Sequence, residues 1–257
     1  MQTSLVLYDV MDRVAILTLN HPEKRNPLSR AMLACLKDHL SRIEADPAVR
    51  AVIIRATGPV FSAGHDLREL VGASEPEHAS LFALCTEVMQ AIRKLPKPVI
   101  AQVQGIATAA GCQLVATCDL VVAAEDATFA TPGVKIGLFC TTPGVALSRA
   151  VGAKKAMEML LTGMSVTAQE AERIGLVNRV VPASRLQEET LKLAQQIVTA
   201  SSFTVGIGKR AFYEQLPLDV PAAYELAQQV MVENGQAPDA QEGIAAFLEK
   251  RKPEWNR

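Results

Sequence analysis

The stretch KPVIAQVQGIATAAGCQLVATCDLVVAA, residues 97–124, decides the fold class. Its first part, PVIAQVQG, is a short apolar run between a proline and a glycine, which is typical of a buried strand. AAGCQLVATC consists of small residues compatible with a helix, and DLVVAA is a second buried-strand run. A strand, a helix and a strand in succession predict parallel strands joined by a crossover helix.

The same alternation extends towards the N-terminus. SLVLYDV and VAILTLN have the pattern of two strands separated by a turn at Met11-Asp12-Arg13, and AVIIRA has the pattern of a third. A helix is expected after Ser29, which is a good N-cap, because apolar residues then recur at helical spacing: Met32, Leu36, Leu40 and Ile43. A second long helix is marked by Leu81, Leu84, Val88, Ile92 and Leu95. Together these segments predict an α/β core.

The C-terminal part has a different pattern. After about residue 140 it becomes mostly helical, with LVNRVV as the one strand, and from about residue 199 no strand pattern remains. Asp239-Ala-Gln-Glu242 is predicted to cap one of these helices. We therefore expect an α/β core over 1–198 and a helical segment over 199–257. The segment should dock on its own core or on a neighbouring subunit, since its apolar residues need a partner: Ala222, Leu226, Val230, Ile244, Phe247 and Leu248.

Composition excludes several classes of protein. Lys and Arg number 26 against 27 Asp and Glu, so the formal charge of −1 argues against nucleic-acid binding, which relies on neutralising phosphates. No apolar run approaches the length of a membrane span, and no targeting segment is visible. The five cysteines are odd in number and form no C-x-x-C pair, which indicates reduced thiols and predicts a cytoplasmic location.

Common catalytic motifs are also missing. The chain contains no Walker phosphate loop, no G-x-G-x-x-G after a strand, no G-x-S-x-G elbow and no H-E-x-x-H. Its four histidines, at positions 21, 39, 65 and 78, show no metal-ligand spacing. The sequence therefore predicts neither a metal site nor a bound cofactor.

Two glycine-containing segments remain as candidates for chemistry. Phe61-Ser-Ala-Gly-His-Asp-Leu67 and Gly105-Ile-Ala-Thr-Ala-Ala-Gly-Cys-Gln113 each lead from a strand into a helix. Backbone N–H groups at such helix starts lack intrahelical partners, so two of them brought together would form an oxyanion hole. The alternative is that both are ordinary tight turns packed with small residues.

The ordered motifs of this chain resemble the crotonase family, also called enoyl-CoA hydratase/isomerase. They are FSAGHDLREL at 61–70, PKPVIAQVQG through VKIGL at 96–138, a following PG, and TG-x-x-x-x-A-x-E-A-x-x-x-GLVNRVV at 162–181. The resemblance extends from VAILTLNHPEKRNPLS to FLEKRKPEW. Within the family, the FSAGHDL, AAGCQLVATCD and FATPGV segments are similar to the domain-containing protein 3 subgroup of enoyl-CoA hydratases.

This resemblance implies a ClpP-like spiral of ββα units whose C-terminal helices form homotrimers or hexamers. It implies an acyl-CoA thioester as ligand, with coenzyme A as part of the substrate. The shared chemistry stabilises a thioester enolate through two backbone N–H groups, which by position are those of His65 and Ala110. Ala110 replaces a more usual glycine, which a main-chain donor tolerates.

The acid and base of family hydratases are both replaced. Their positions are Gln113, which cannot titrate, and Gly133, which has no side chain. A positioned acid or base typically contributes ~10²–10⁴-fold, so efficient hydration is not expected. The loop at 138–142 is longer than in common hydratases and should face the acyl group. Cys140 in it could be a nucleophile, although a lone buried thiol is more often inert.

The remaining site residues follow from the resemblance as well. Lys24, Arg25 and Arg68 are expected to face the CoA phosphates, and Phe247 and Lys250 to close over adenine, often from a neighbouring subunit. We interpret the His65 ring as packing only, with contact to an acyl carboxylate as the alternative, and Asp66 as a helix cap. The wall of the substrate site is expected to include Ala63, Asp66, Leu67, Ala109, Pro132, Phe139 and Cys140.

Three functions remain open on the sequence. The first is an enoyl-CoA hydratase/isomerase-like enzyme, within which a decarboxylase or thioesterase is more plausible than a hydratase. The second is a non-catalytic acyl-CoA-binding pseudoenzyme of the same fold. The third, RNA binding, is remote because of the net charge.

Overall fold

The N-terminal strands form a hairpin for a local reason. In the computed structural model, which describes residues 4–255, Met11 pairs with Val14 across a two-residue turn. Asp12 and Arg13 in that turn both have positive φ, 48° and 69°. This is the type I′ geometry that matches the twist of antiparallel strands. The predicted turn at residues 11–13 is therefore confirmed.

Ten strands occur within the described residues. They are β1 (Val6–Met11), β2 (Val14–Leu19), β3 (Ala51–Ala56), β4 (Val60–Ser62), β5 (Val99–Val103), β6 (Ile106–Thr108), β7 (Leu120–Ala124), β8 (Thr128–Ala130), β9 (Val166–Thr167) and β10 (Arg179–Val181).

Ten α-helices are found in the same part of the chain. They are α1 (Arg30–Ala45), α2 (Glu75–Lys94), α3 (Ala110–Thr117), α4 (Thr141–Ala150), α5 (Ala153–Thr162), α6 (Ala168–Arg173), α7 (Leu186–Val198), α8 (Ser202–Gln215), α9 (Val220–Gln236) and α10 (Pro238–Leu248). Ser29 caps α1 as predicted, since its hydroxyl accepts the Met32 amide at 3.2 Å.

The strands form two sheets that wind together. The larger sheet has the order β1-β2-β3-β5-β7-β10 and is parallel from β2 onwards, and the smaller has the order β4-β6-β8-β9. The pairs β3–β4, β5–β6 and β7–β8 each give their first strand to the large sheet and their second to the small one, before a helix follows. This repetition confirms the α/β spiral of ββα units. The short strands β4, β6 and β8, of three residues each, were not visible as strand patterns.

The core lies on both faces of the large sheet. On one side, residues of the large sheet, the small sheet and helices α1–α3 form one apolar cluster. It contains Leu17, Leu36, Phe61 and Phe129. On the other side Ile53, Ile100 and Val122 pack against Leu193 and Ala194 of α7. Strands buried on both faces are typical of parallel sheets.

The C-terminal helices are attached to this core through α8. Lys209 Nζ lies 2.6 Å from Asp119 Oδ2, and the Tyr213 hydroxyl donates to Asp119 Oδ1 at 2.7 Å. Helix α9 has no buried residue, and Tyr224, Met231 and Val232 on it are exposed. The boundary at residue 199 and the oligomerising role of the segment remain predictions.

One predicted cap is wrong. Asp239 lies inside α10, which begins at Pro238 with Ala237 as N-cap, and its carboxylate accepts a hydrogen bond from the Ser201 hydroxyl at 2.5 Å. The carboxylate therefore joins α10 to the start of α8. Within residues 4–255, no helix is long and apolar enough to cross a membrane.

Candidate active site

Two loops approach each other closely at the ends of β4 and β6. A Cβ built on Gly64 would stand 2.9 Å from Ala109 Cβ and 3.2 Å from the Ala110 nitrogen, and one on Gly111 would stand 2.5 Å from the Ser62 carbonyl oxygen. Contacts this short leave no room for side chains. The glycines therefore allow the loop Phe61–His65, called the FSAGH loop below, to lie directly against the first turn of α3.

This approach brings two backbone amides to one cavity. His65 lies in the first loop, and Ala110 is the first residue of α3. Within residues 4–255 neither amide donates a hydrogen bond to the protein, and both residues line the same cavity. An amide without a partner at such a position is available to a ligand oxygen.

Ala109 holds the second amide in a strained backbone conformation. Its φ of 51° and ψ of −118° lie where residues with a Cβ are rarely found. The conformation is held by a hydrogen bond from the Ala109 amide to the Ala130 carbonyl at 2.9 Å. Such strain is common where the backbone itself contacts a ligand.

The cavity has a volume of about 650 Å³. Apolar side chains dominate its wall, together with Thr108, Thr141 and Thr142. Its titratable side chains are those of His65, Lys135 and Cys140. It is lined by Ala63, His65, Leu67, Leu70, Phe82, Thr108, Ala109, Ala110, Pro132, Gly133, Lys135, Ile136, Leu138, Phe139, Cys140, Thr141, Thr142 and Pro143. No carboxylate occurs among these residues.

The structure places many of the predicted site residues around this cavity. Those that line it are Ala63, His65, Leu67, Ala109, Ala110, Pro132, Gly133, Phe139 and Cys140. Those that do not are Lys24, Arg25, Asp66, Arg68, Gln113, Phe247 and Lys250. Sequence reasoning missed Leu70 and Phe82 because an apolar residue on a helix gives no sign of whether it faces the core or a cavity. It missed Lys135 because a lone lysine in a turn is usually solvated.

One hydrogen bond decides which nitrogen of the neutral His65 ring carries the proton. Its Nδ1 lies 2.9 Å from the Leu28 carbonyl oxygen, which can only accept, so Nδ1 bears the proton. Nε2 is then the unprotonated nitrogen, and it is buried without a hydrogen-bond partner. Burial also lowers the pKa of His65 below its ordinary value of 6.5. The ring packs edge-on against Phe82, with 5.7 Å between the centroids.

The space beside Gly133 is filled by the loop that begins α4. A Cβ at position 133 would stand 2.8 Å from the Cys140 sulfur. Burial raises the pKa of the Cys140 thiol, and that of its neighbour Cys112 to about 12. A protonated thiol is a poor nucleophile, so the chemistry of Cys140 fits the inert alternative.

Gln113 is buried on the inner side of α3. Its backbone N–H donates to the Ala109 carbonyl, as in a regular helical turn. Its side-chain Oε1 has no hydrogen-bond partner. The side chain therefore lies in the wall behind the oxyanion-hole candidate rather than at the cavity surface. Thr131 Oγ1, at the end of β8, is likewise buried without a partner.

The loop that contains Lys24 and Arg25 is joined to the FSAGH loop. Ala63 donates its amide to the Arg25 carbonyl at 3.0 Å, and Leu28 donates to Gly64 at 2.7 Å. Asn26 is fully buried, and its Nδ2 donates to two carbonyls, those of Thr57 and Val60. The two cations are therefore held next to the residues that precede His65.

Asp66 and Arg68 form a pair outside the cavity. Asp66 caps the short 3-10 helix Leu67–Glu69. Its carboxylate also accepts hydrogen bonds from Nε and Nη2 of Arg68, at 2.9 and 2.7 Å. The hydrogen bonds from the Arg68 side chain lower the pKa of Asp66. The expected cap is present, and Arg68 would have to leave Asp66 or share it to contact a phosphate.

Phe247 and Lys250 lie far along the C-terminal segment. Phe247 is 82% exposed, and Lys250 has a positive φ of 57° at the end of α10. Neither reaches the cavity of its own chain. In the part of the chain that the structure describes, no group of three or more His, Cys, Asp or Glu side chains could hold a metal ion.

Comparison with known proteins agrees with this fold. A model of the family described as enoyl-CoA hydratase/isomerase matches residues 9–257. The human protein named enoyl-CoA hydratase domain-containing protein 3, mitochondrial, is 51% identical over 247 residues, covering 96% of this chain and 82% of that protein. The rat protein of the same name is 50% identical over 246 residues, covering 95% of this chain and 82% of its own length.

Solved structures are similar over nearly the whole chain. The crystal structure of an enoyl-CoA hydratase from Mycobacterium smegmatis has a TM-score of 0.95 and 52% identity, and covers 98% of both chains. That of human enoyl-CoA hydratase domain-containing protein 3 has a TM-score of 0.95 and 50% identity, and covers 98% of this chain and 100% of the other. The predicted subgroup is therefore confirmed.

The predicted cytoplasmic location is wrong. The names of the human and rat relatives describe them as mitochondrial. All five cysteines of this chain have free thiols, and free thiols alone do not identify a compartment.

The family match covers residues 9–257, and the similar solved structures share the two-sheet fold. The identity to relatives points to the same family. The chain belongs to the enoyl-CoA hydratase/isomerase family.

Proposed function

We propose that this protein binds an acyl-CoA thioester and stabilises its enolate with the backbone amides of His65 and Ala110. The observation that carries the proposal is that these two amides, from separate loops, have no partner within residues 4–255 and face one apolar cavity. Mutations that remove one such donor typically cost about 2.7–4 kcal/mol of transition-state stabilisation. Two such donors would therefore stabilise the enolate substantially.

The reaction that uses this enolate is not efficient hydration. Adding water to an enoyl group requires one group to activate the water and another to protonate carbon. Gln113 cannot titrate, Gly133 has no side chain, and no carboxylate from residues 4–255 lines the cavity. Decarboxylation and thioester cleavage need fewer proton transfers from carboxylates and fit the cavity better. The lack of a carboxylate is also the observation that favours the second candidate, a non-catalytic acyl-CoA-binding protein.

Lys24 and Arg25 are proposed to bind the phosphates of CoA. The backbone of their loop is hydrogen-bonded to Ala63 and Gly64, and both side chains are exposed, which supports this role. Cations at this place complement phosphate without entering the acyl cavity. Phe247 and Lys250 are proposed to close over adenine in a neighbouring subunit of a homotrimer or hexamer, which accounts for their exposure here.

The decisive experiment compares two ligands that differ in one oxygen. Butyryl-CoA has the thioester carbonyl, and its thioether analogue lacks it. The wild-type protein should bind the thioester more tightly by calorimetry, because only that ligand can accept from the two amides. Equal affinity for the two would rule out an operating oxyanion hole.

Two glycine variants separate the hole from general loop strain. Gly64 has a φ of 89° and lies against Ala110, whereas Gly72 has a similar φ of 72° with nothing within 4 Å of an added Cβ. Gly64→Ala should therefore abolish the preference for the thioester, and Gly72→Ala should retain it. His65→Ala keeps its amide and should retain the preference as well.

A further inference from the structure

The candidate cavity changes along its wall from buried to exposed side chains. Ala110, which carries one of the two free amides, is 2% exposed. Ile136, Leu138 and Phe139 line the same cavity and are 62%, 43% and 43% exposed. These three residues are called the apolar rim below. The cavity thus extends from the buried start of α3 to an apolar rim at the protein surface.

Backbone hydrogen bonds hold the apolar rim in this exposed position. Leu138 donates its amide to the Gly133 carbonyl at 2.9 Å, and the Phe139 carbonyl accepts the Thr141 amide at 2.8 Å. Gly137 turns the chain just before Leu138 with a φ of 77°, which glycine adopts without strain. The apolar surface is therefore fixed before any ligand binds. Contiguous exposed apolar surface at a cavity is typical of a ligand-binding groove.

Charge is nearly absent from the wall of the cavity. Among the lining residues within 4–255, Lys135 is the only one with a permanent charge. Its stem packs against Gly163, since Cγ and Cε would stand 3.4 and 3.1 Å from a Cβ built there. Gly163 is the C-cap residue of α5, where the helix dipole favours a cation. The end of α5 thus accounts for Lys135, and the apolar rim offers a ligand apolar contacts.

The cavity is also larger than a short acyl group needs. Its volume of about 650 Å³ falls within the range of about 300–1,000 Å³ that holds drug-sized ligands. Lys24 and Arg25, which are proposed to bind the CoA phosphates, do not line it. Phosphates bound by these two residues would lie outside the cavity, which leaves its apolar volume to the acyl chain.

We propose that the substrate of this site is the CoA thioester of a long, unbranched hydrocarbon chain, whose distal carbons contact Ile136, Leu138 and Phe139. The inference rests on the proposed function, because the amides of His65 and Ala110 must hold the thioester at the buried end. From there the chain passes through the apolar cavity, and its distal part covers the apolar rim. Burial of both apolar surfaces favours a longer chain over a shorter one.

The test is calorimetric titration of the full chain with butyryl-, octanoyl- and dodecanoyl-CoA, each below its critical micelle concentration. A fully buried CH₂ group raises affinity by up to about fourfold. The wild-type protein should therefore bind octanoyl-CoA at least ~10-fold more tightly than butyryl-CoA, and dodecanoyl-CoA more tightly again. Equal affinity for the three ligands would overturn the inference.

Substitutions in the apolar rim test its contact with the chain. Ile136→Ser and Phe139→Ser each remove apolar surface from an exposed position, so both variants should fold. Each should lower the ratio of dodecanoyl- to butyryl-CoA affinity by at least ~3-fold, because distal carbons lose a contact. Val145 on α4 provides the matched control, since it is 55% exposed and does not line the cavity. Val145→Ser should retain the wild-type ratio, and an unchanged ratio in both rim variants would contradict the proposal.

The heat capacity change of binding gives a readout that needs no variant. Burial of apolar surface makes this change more negative. Titrations of the wild type at several temperatures should therefore give a more negative value for dodecanoyl-CoA than for butyryl-CoA. The same value for both ligands would mean that the added carbons stay in water.

Two further measurements test the identity of the occupant. Light scattering of Ile136→Ser and Phe139→Ser should give the wild-type mass. A lower mass with an unchanged affinity ratio would assign the apolar rim to a contact between copies of this chain and overturn the proposal. The mono-CoA thioester of dodecanedioic acid ends in a carboxylate and should bind less tightly than dodecanoyl-CoA. Tighter binding of that ligand would overturn the hydrocarbon class.

The outcomes separate this inference from the proposed function. A wild type that prefers butyryl-CoA to its thioether analogue, but gains nothing from a longer chain, would overturn the inference and leave the proposed function standing. A wild type without preference for the thioester would overturn the proposed function and this inference with it. Preference for the thioester, together with a gain from chain length that depends on Ile136 and Phe139 but not on Val145, supports both.

Discussion

Leu138 closes a tight turn on Gly133. Its amide donates to the Gly133 carbonyl at 2.9 Å, and its own carbonyl oxygen would stand 2.0 Å from a Cβ at position 133. The loop at 138–142 therefore occupies the space that a side chain at position 133 would need. A carboxylate at position 133 is therefore excluded by the course of the backbone as well as by the identity of the residue.

This relationship predicts that a single substitution does not create a hydratase. Gly133→Glu forces its Cβ into the Leu138 backbone, so the loop must move, and overpacking of this kind costs about 1–3 kcal/mol. We expect a lower midpoint of thermal unfolding and no hydration of crotonyl-CoA at the usual enzymatic rates of about 1–10³ s⁻¹. Gly208→Ala, where an added Cβ meets nothing within 4 Å, should not lower the midpoint. Rapid hydration by the wild type or by Gly133→Glu would contradict the argument.

Relief of backbone strain predicts that Ala109→Gly stabilises the protein. Residues with such φ and ψ values cost on the order of 1–3 kcal/mol, and glycine avoids this at an entropic cost of about 0.5–1 kcal/mol. The free energy of unfolding in urea should rise by about 1 kcal/mol. Ala116→Gly, in the ordinary helical part of α3, should instead lower it by about 1 kcal/mol. If Ala109→Gly destabilises the protein as much as Ala116→Gly does, the conformation is not strained.

The buried pair of Lys209 and Asp119 predicts a large loss of stability when one partner is removed. Their side chains are 7% and 14% exposed, so Lys209→Met leaves an uncompensated carboxylate and should cost about 3–5 kcal/mol. The adjacent Arg210 pairs with Glu233 at 3.2 Å with both side chains about half exposed, so Arg210→Met should cost less than ~1 kcal/mol. Equal losses in urea unfolding would mean that the pair does not hold α8 to the core.

Acid should destabilise the protein through His65. The pKa of His65 is lowered in the folded state by burial, so below about pH 6.5 the unfolded chain takes up a proton that the folded chain does not. The free energy of unfolding therefore rises with pH between the pKa of His65 in the folded state and that in the unfolded state. Above that range the contribution of His65 is constant. The unfolding midpoint of the wild type should therefore fall more steeply between about pH 7 and 5.5 than that of His65→Gln. Parallel curves for the two proteins would show that His65 is protonated as easily in the folded state as in the unfolded one.

The exposed face of α9 predicts self-association. Tyr224 is 75% and Met231 is 68% exposed, and covering such side chains stabilises an interface by about 25 cal/mol per Å². Light scattering of the full chain should give a mass near a multiple of 27.6 kDa, three or six by the family resemblance. Met231→Asp should dissociate the assembly, whereas Gln229→Asp, about 200° away around the helix, should not. A stable monomer for the wild type would contradict the prediction.

The sequence by itself determined the order of the main elements. Apolar periodicity and the Ser29 cap indicated α1, β2, β3, β5, α3 and β7, because these signals act within a few residues along the chain. The same local reasoning placed the FSAGH loop and the start of α3 at helix beginnings. It also showed that positions 113 and 133 lack carboxylates, since that is a matter of residue identity alone.

Only the tertiary structure decided how those residues meet. The free Nε2 of His65 depends on Leu28, 37 positions away, and the crowded space at Gly133 depends on how the chain turns before α4. The local sequence Asp239-Ala-Gln-Glu242 predicted a helix cap at Asp239. The Asp239 carboxylate instead accepts a hydrogen bond from Ser201, 38 positions earlier. Contacts between segments distant in sequence follow from packing of the two sheets and their helices, and no pattern within a single segment encodes them.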